Sequence, residues 1–159
     1  MFSDSGYIAR FAVGNRTRAH LPRLTSREET LRKLQRSYAS ELAEPFLEKL
    51  RRISQRTDNW DDKGSRQPNP IALHKAHNIL LNFFHSIIDS GRVWKTPFLS
   101  SDENGHITMQ WNNDTHELHI DIAEDSEAYI KIWGTNIEHE MHLSILKPSD
   151  YVDLWDWLN

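Results

Sequence analysis

ITMQWNNDTHELHIDI, residues 107–122, is the stretch on which the fold turns. Ile107, Met109 and Trp111 alternate with polar residues, the turn formers NNDT follow at 112–115, and Leu118, Ile120 and Ile122 alternate again. A period of two sends neighbouring side chains to opposite faces of a strand, so each run has one apolar face and one polar face. A link this short joins antiparallel neighbours. The stretch therefore predicts a β-hairpin with one face on a core.

The same period extends in both directions. It predicts strands at 93–99, 105–111, 116–122, 127–133 and 139–145, joined by connections rich in Gly, Asn, Asp and Ser. Upstream the period lengthens. Leu31, Leu34, Tyr38, Leu42, Phe46, Leu50 and Ile53 recur at helical spacing, and Ser26 with Glu29 forms a capping box. Pro45 interrupts this run and predicts a break, with helices over 27–43 and 45–56. Asn69 followed by Pro70 starts a second helix that ends before Gly91, over 70–89. PSDYVDLWDWLN predicts a short helix over 149–157. The expected fold class is α+β: N-terminal helices on a C-terminal antiparallel meander of four to five strands, with a short C-terminal helix. Residues 1–24, with the alternating run YIARFAV, read as an arm or edge strand, and 25–159 as a single domain.

Bulk properties bound the function. The chain has 159 residues, of which 38% are hydrophobic and 26% charged, the composition of a soluble globular protein. No apolar run is long enough for a membrane span, and MFSDSGYIAR lacks the pattern of a signal peptide, so a cytoplasmic location is expected. The absence of cysteine excludes disulfides, thiolate zinc sites and cysteine nucleophiles. The net charge of -4 hides an asymmetry: residues 1–57 carry twelve Arg and Lys against six Asp and Glu, while 58–159 carry seven against seventeen. Such a dipole favours a charged partner or self-association.

Histidine pairs three residues apart occur at His74 and His77, His116 and His119, and His139 and His142. In strands this spacing puts the two rings on opposite faces, so neither strand pair is a chelate. His74 and His77 find no third ligand in the sequence, and Asp58, Asp61 and Asp62 do not fill a calcium loop. No metal and no cofactor is expected. With NNDT as the turn, His106 falls opposite Asp121, Tyr129 lies beside Asp121, and Lys131 stands between His119 and His142. His106, Asp121 and Tyr129 are thus the candidates for acid/base chemistry. Arg16, Arg18 and Arg23 are the candidates for nucleic acid contact, without a recognised motif around them. Trp133, flanked by Glu117, Lys131 and Glu140, and Trp157 on the tail helix are the candidates for a protein contact surface.

Pro97, Asp102, Gly105, Ile107, Met109, Trp111, Leu118, Ile120 and Ile122 form a pattern that resembles a loosely defined group of small bacterial and phage-associated proteins. The resemblance covers 97–129 and implies an antitoxin-like or accessory role in mobile defence loci, without catalytic residues. The leading expectation is a non-enzymatic protein-binding domain, such as an antitoxin, immunity or phage inhibitor protein. A nucleic-acid-binding accessory protein and a small hydrolase-like enzyme stand beside it as alternatives.

Overall fold

The computed structural model describes residues 23, 25–134 and 141–159. The chain divides into two units, with the boundary between Arg36 and Ser37. Helix α1 spans Ser26–Ser54 and α2 spans Pro70–Asp89. Five strands follow: β1 Phe98–Ser101, β2 Ile107–Asn112, β3 Glu117–Ile122, β4 Tyr129–Trp133 and β5 His142–Ile145. A 3-10 turn, Pro148–Asp150, leads into α3, Tyr151–Leu158. The strands form one antiparallel sheet in sequence order, so the fold is α+β with helices packed against a five-stranded meander.

Helix α1 runs through Pro45 without a break, contrary to the sequence expectation. The ring removes one backbone donor, but Pro45 is exposed while Ala43, Phe46, Leu50 and Ile53 are buried along the other side. Burial of that stripe outweighs the lost hydrogen bond. Asn69 caps α2 as expected, its Oδ1 accepting from the backbone N–H groups of Ile71 and Ala72. Its Nδ2 donates to Glu124 at 2.6 Å and its own backbone N–H to the Gly105 carbonyl at 2.9 Å. Asn69 thus ties the start of α2 to two loops of the sheet.

Lys75, one turn further along α2, holds the β3–β4 loop. Its Nζ donates to the carbonyls of Ala123, Glu124 and Ser126 at 3.2, 2.5 and 3.3 Å. At Gly105 the backbone has φ +83°, and a Cβ there would lie 2.6 Å from the Gln67 carbonyl oxygen. Only glycine fits this turn, because both the left-handed conformation and the close approach of residues 67–69 exclude a side chain.

The core lies on one face of the sheet. Ile107, Met109, Trp111, Leu118, Ile120, Ile122 and Ile130 meet the buried stripes of the helices there. Its centre is aromatic: Trp94 stacks on Trp155 with centroids 5.2 Å apart, and Phe83 meets Trp111, Tyr151 and Trp155 at 5.2, 4.8 and 5.6 Å. Trp111 Nε1 donates to the Lys95 carbonyl at 2.8 Å, whereas the buried Trp94 Nε1 has no acceptor among the described residues. That omission costs about 1–3 kcal/mol, which the packing of the indole must exceed. Strand β1 starts at Phe98, not at Val93 as expected, because Trp94 and Pro97 are drawn into the core as a non-strand connection.

Candidate functional site

The second face of the sheet is the candidate site, and it is built by alternation. Phe98 and Ser100 of β1, Thr108, Gln110 and Asn112 of β2, and Glu117, His119 and Asp121 of β3 point away from the core. So do Tyr129, Lys131 and Trp133 of β4 and Leu143 and Ile145 of β5. None of these thirteen residues is buried, and at the β1 end Arg56 donates to the Ser100 hydroxyl at 3.4 Å.

Its centre is a set of cross-strand pairs. Glu117 lies opposite Trp133, His119 opposite Lys131, and Asp121 opposite Tyr129. Lys131 Nζ is 2.8 Å from Asp121 Oδ2, so the two charges neutralise one another. The His119 ring lies 4.4 Å from the Trp133 ring, tilted at 48°. His119 Nε2 is 3.3 Å from Glu117 Oε2, within ion-pair range but without hydrogen-bond alignment. Towards the edge the face becomes apolar: Tyr129, Leu143 and Ile145 are 42%, 61% and 41% exposed. Tyr129 pairs with Ile145, and Lys131 with Leu143, so these side chains form one continuous patch.

Of the residues singled out in the sequence, Glu117, Lys131 and Trp133 come together here. Trp157 does not: its ring packs at 4.4 Å against His116, beside the strand that carries the core residues Leu118 and Ile120. Glu140 and His139 lie outside the described residues, as do Arg16 and Arg18, while Arg23 is exposed.

Two registers differ from expectation. Trp111 lies opposite Leu118 and Thr108 opposite Asp121, a shift of two residues that removes His106 from Asp121. The cause is Asn113, whose Oδ1 accepts from the Thr115 and His116 backbone N–H groups at 2.8 Å each and from the Thr115 hydroxyl at 3.1 Å. These bonds, with the bond from the Asn113 N–H to the His116 carbonyl, make 113–116 the loop. His106 instead sits in the β1–β2 turn, with Nδ1 3.4 Å from Asp102. The proposed triad of His106, Asp121 and Tyr129 is therefore not assembled; only Asp121 and Tyr129 are neighbours.

The β4–β5 register differs by one residue, with Lys131 opposite Leu143 rather than His142. One residue exchanges the faces of a whole strand, so Leu143 and Ile145 move to the outer face. The sequence HLSI alternates as a core strand does, and only the placement of the helices, mostly over β2 and β3, distinguishes it. That placement is why the apolar part of the patch was missed in the sequence.

The other candidates have structural partners. Asp61 accepts from Lys63, Ser65 N–H and the Ser65 hydroxyl at 3.0, 3.3 and 2.6 Å, and these bonds lower its pKa, led by the hydroxyl bond. Trp60 is held by Arg56, whose guanidinium lies 3.9 Å over the indole, and donates to the Arg66 carbonyl. His74 Nε2 meets Asn78 Nδ2 at 3.2 Å. Among the described residues no three His, Asp or Glu side chains converge as a metal site, and no helix is long and apolar enough to cross a membrane. No protein-family model, curated protein or solved structure matches the chain.

Proposed function

We propose that the chain is a non-enzymatic protein-binding domain whose contact surface is the outer face of the sheet around β4 and β5. The observation that carries this reading is the exposed apolar patch of Tyr129, Leu143 and Ile145 on the β4–β5 side of this face. Contiguous apolar surface with an aromatic anchor and paired charges at its side is the composition of a protein contact region. Trp133 supplies the anchor, and the Lys131–Asp121 pair supplies polarity without net charge. Strand β5, at the end of the strand order, offers a partner its outer backbone edge as well. The resemblance of residues 97–129 adds a narrower version, an antitoxin, immunity or phage inhibitor protein whose partner is an effector held inactive.

Photo-crosslinking in the native host tests this. A crosslinking residue at Tyr129 or Leu143 is expected to give a discrete heavier adduct that is absent when the crosslinker replaces the exposed Lys63. Equal adducts at all three positions, or none at Tyr129 and Leu143, would overturn the reading.

A further inference from the structure

We propose that α1 is also a self-association element, pairing antiparallel with α1 of a second copy of this chain. Leu31, Leu34 and Tyr38 are 50%, 61% and 60% exposed, although they lie on a helix that is continuous from Ser26 to Ser54. Burial in the chain's own core begins further along, partly at Ala39 and Leu42 and fully at Ala43. The three exposed residues extend at both ends to Arg27 and Glu41, so the series 27, 31, 34, 38, 41 advances by four and three in alternation. That alternation is the seam of a two-helix pair. It stops at Pro45, the next position in the series, which is exposed.

The seam is complementary to itself in one orientation. An antiparallel pair centred between Arg32 and Lys33 places Leu31 of each copy against Leu34 of the other. It also brings Arg27 against Tyr38, with Glu41 one turn further along. The guanidinium then meets an aromatic ring and a carboxylate, an arrangement that occurs twice by symmetry. A parallel pair would instead set Arg27 against Arg27 and Glu41 against Glu41. Arg32, Lys33 and Arg36 fall on the opposite side of the helix at 100° per residue, so the basic charges of the two copies stay apart. The contact is short, because in this register the two helices overlap only over residues 26–39, roughly 21 Å, and it predicts a reversible, micromolar dimer.

Analytical ultracentrifugation of the full chain, over low to high micromolar concentration, tests the proposal. The expected result is a monomer–dimer equilibrium that Leu31→Glu with Leu34→Glu abolishes. Thermal unfolding of that variant measured at low concentration should be unchanged, because both side chains are exposed. Arg27→Glu and Glu41→Arg should each weaken the dimer roughly tenfold, and their combination should restore it. Because the chain has no cysteine, single spin labels at Gln35→Cys and Arg52→Cys report orientation directly. An antiparallel pair separates the labels at position 52 by roughly 60 Å and brings those at 35 within about 15 Å. A strict monomer, a dimer that survives the double glutamate variant, or short distances at both label positions would overturn the proposal.

Discussion

The two faces of one sheet divide the molecule's work. On the inner face Ile107, Met109, Leu118 and Ile120 are fully buried; on the outer face, one residue along each strand, Thr108, Gln110, His119 and Asp121 are not. The backbone is the same for both, so the difference lies in what the chain places over each. The helices supply Phe46, Phe83, Phe84 and Trp155 to the inner face, whereas the outer one meets Arg56 at its β1 end, where the guanidinium donates to the Ser100 hydroxyl at 3.4 Å. Tryptophan shows the contrast within one residue type: Trp111 is 3% exposed inside the aromatic cluster, while Trp133 sits half-buried beside a histidine. Burial makes the first a determinant of the fold. Partial exposure makes the second available to a partner.

Substitutions on the two sides should separate these roles. Trp155→Ala removes the ring that stacks on Trp94 and contacts Phe83 and Trp111. It should cost about 3–5 kcal/mol in urea unfolding, enough to unfold much of the population of a domain of ordinary stability. A loss below about 1 kcal/mol would show that the aromatic cluster is not the centre of the core. Gly105→Ala, at the turn where residues 67–69 pack, should cost about 2–3 kcal/mol from the strained φ and the clash with the Gln67 carbonyl. Its urea midpoint should fall with the m-value unchanged.

Much smaller stability changes belong to the outer face. Leu143→Asn with Trp133→Ser should change the unfolding free energy by less than about 1 kcal/mol, because Leu143 is 61% exposed and Trp133 only partly covered. A loss as large as that of Trp155→Ala would place the outer face in the folding core and break the contrast. The smallest effect is expected on α1, where Arg51 and then Arg52 hydrogen-bond Glu48 and hold its pKa down to about 2, below the ordinary 4.5. A depressed carboxylate contributes stability above its ordinary value and loses it as the pH falls from there towards 2. Glu48→Gln should therefore lower stability slightly at neutral pH and converge with the wild type as the pH falls from 4.5 towards about 2, and a difference that persists undiminished at the acid end would contradict the assignment.

The inner face was legible in the sequence because burial enforces alternation. Ile107, Met109, Trp111, Leu118, Ile120 and Ile122 were all identified as core residues from their period, and the start of α2 from Asn69 and Pro70. The outer face was legible only in part. Glu117, Lys131 and Trp133 follow from parity, but which residues meet across strands depends on turn geometry, and the Asn113 side chain moved the first hairpin by two residues. At β5 the alternation was present but its direction was not, since few inner-face neighbours exist to bury either side. Parity shows which residues share a face; it does not show which face the helices cover.

The most direct test of this division is the host crosslink from position 129 measured in two backgrounds, wild type and Leu143→Asn with Trp133→Ser. The account predicts a protein adduct in the wild type that falls at least tenfold in the folded outer-face variant, since a lost anchor is worth about 2 kcal/mol or more. An adduct of unchanged yield in that variant would contradict the assignment of the outer face as the binding surface.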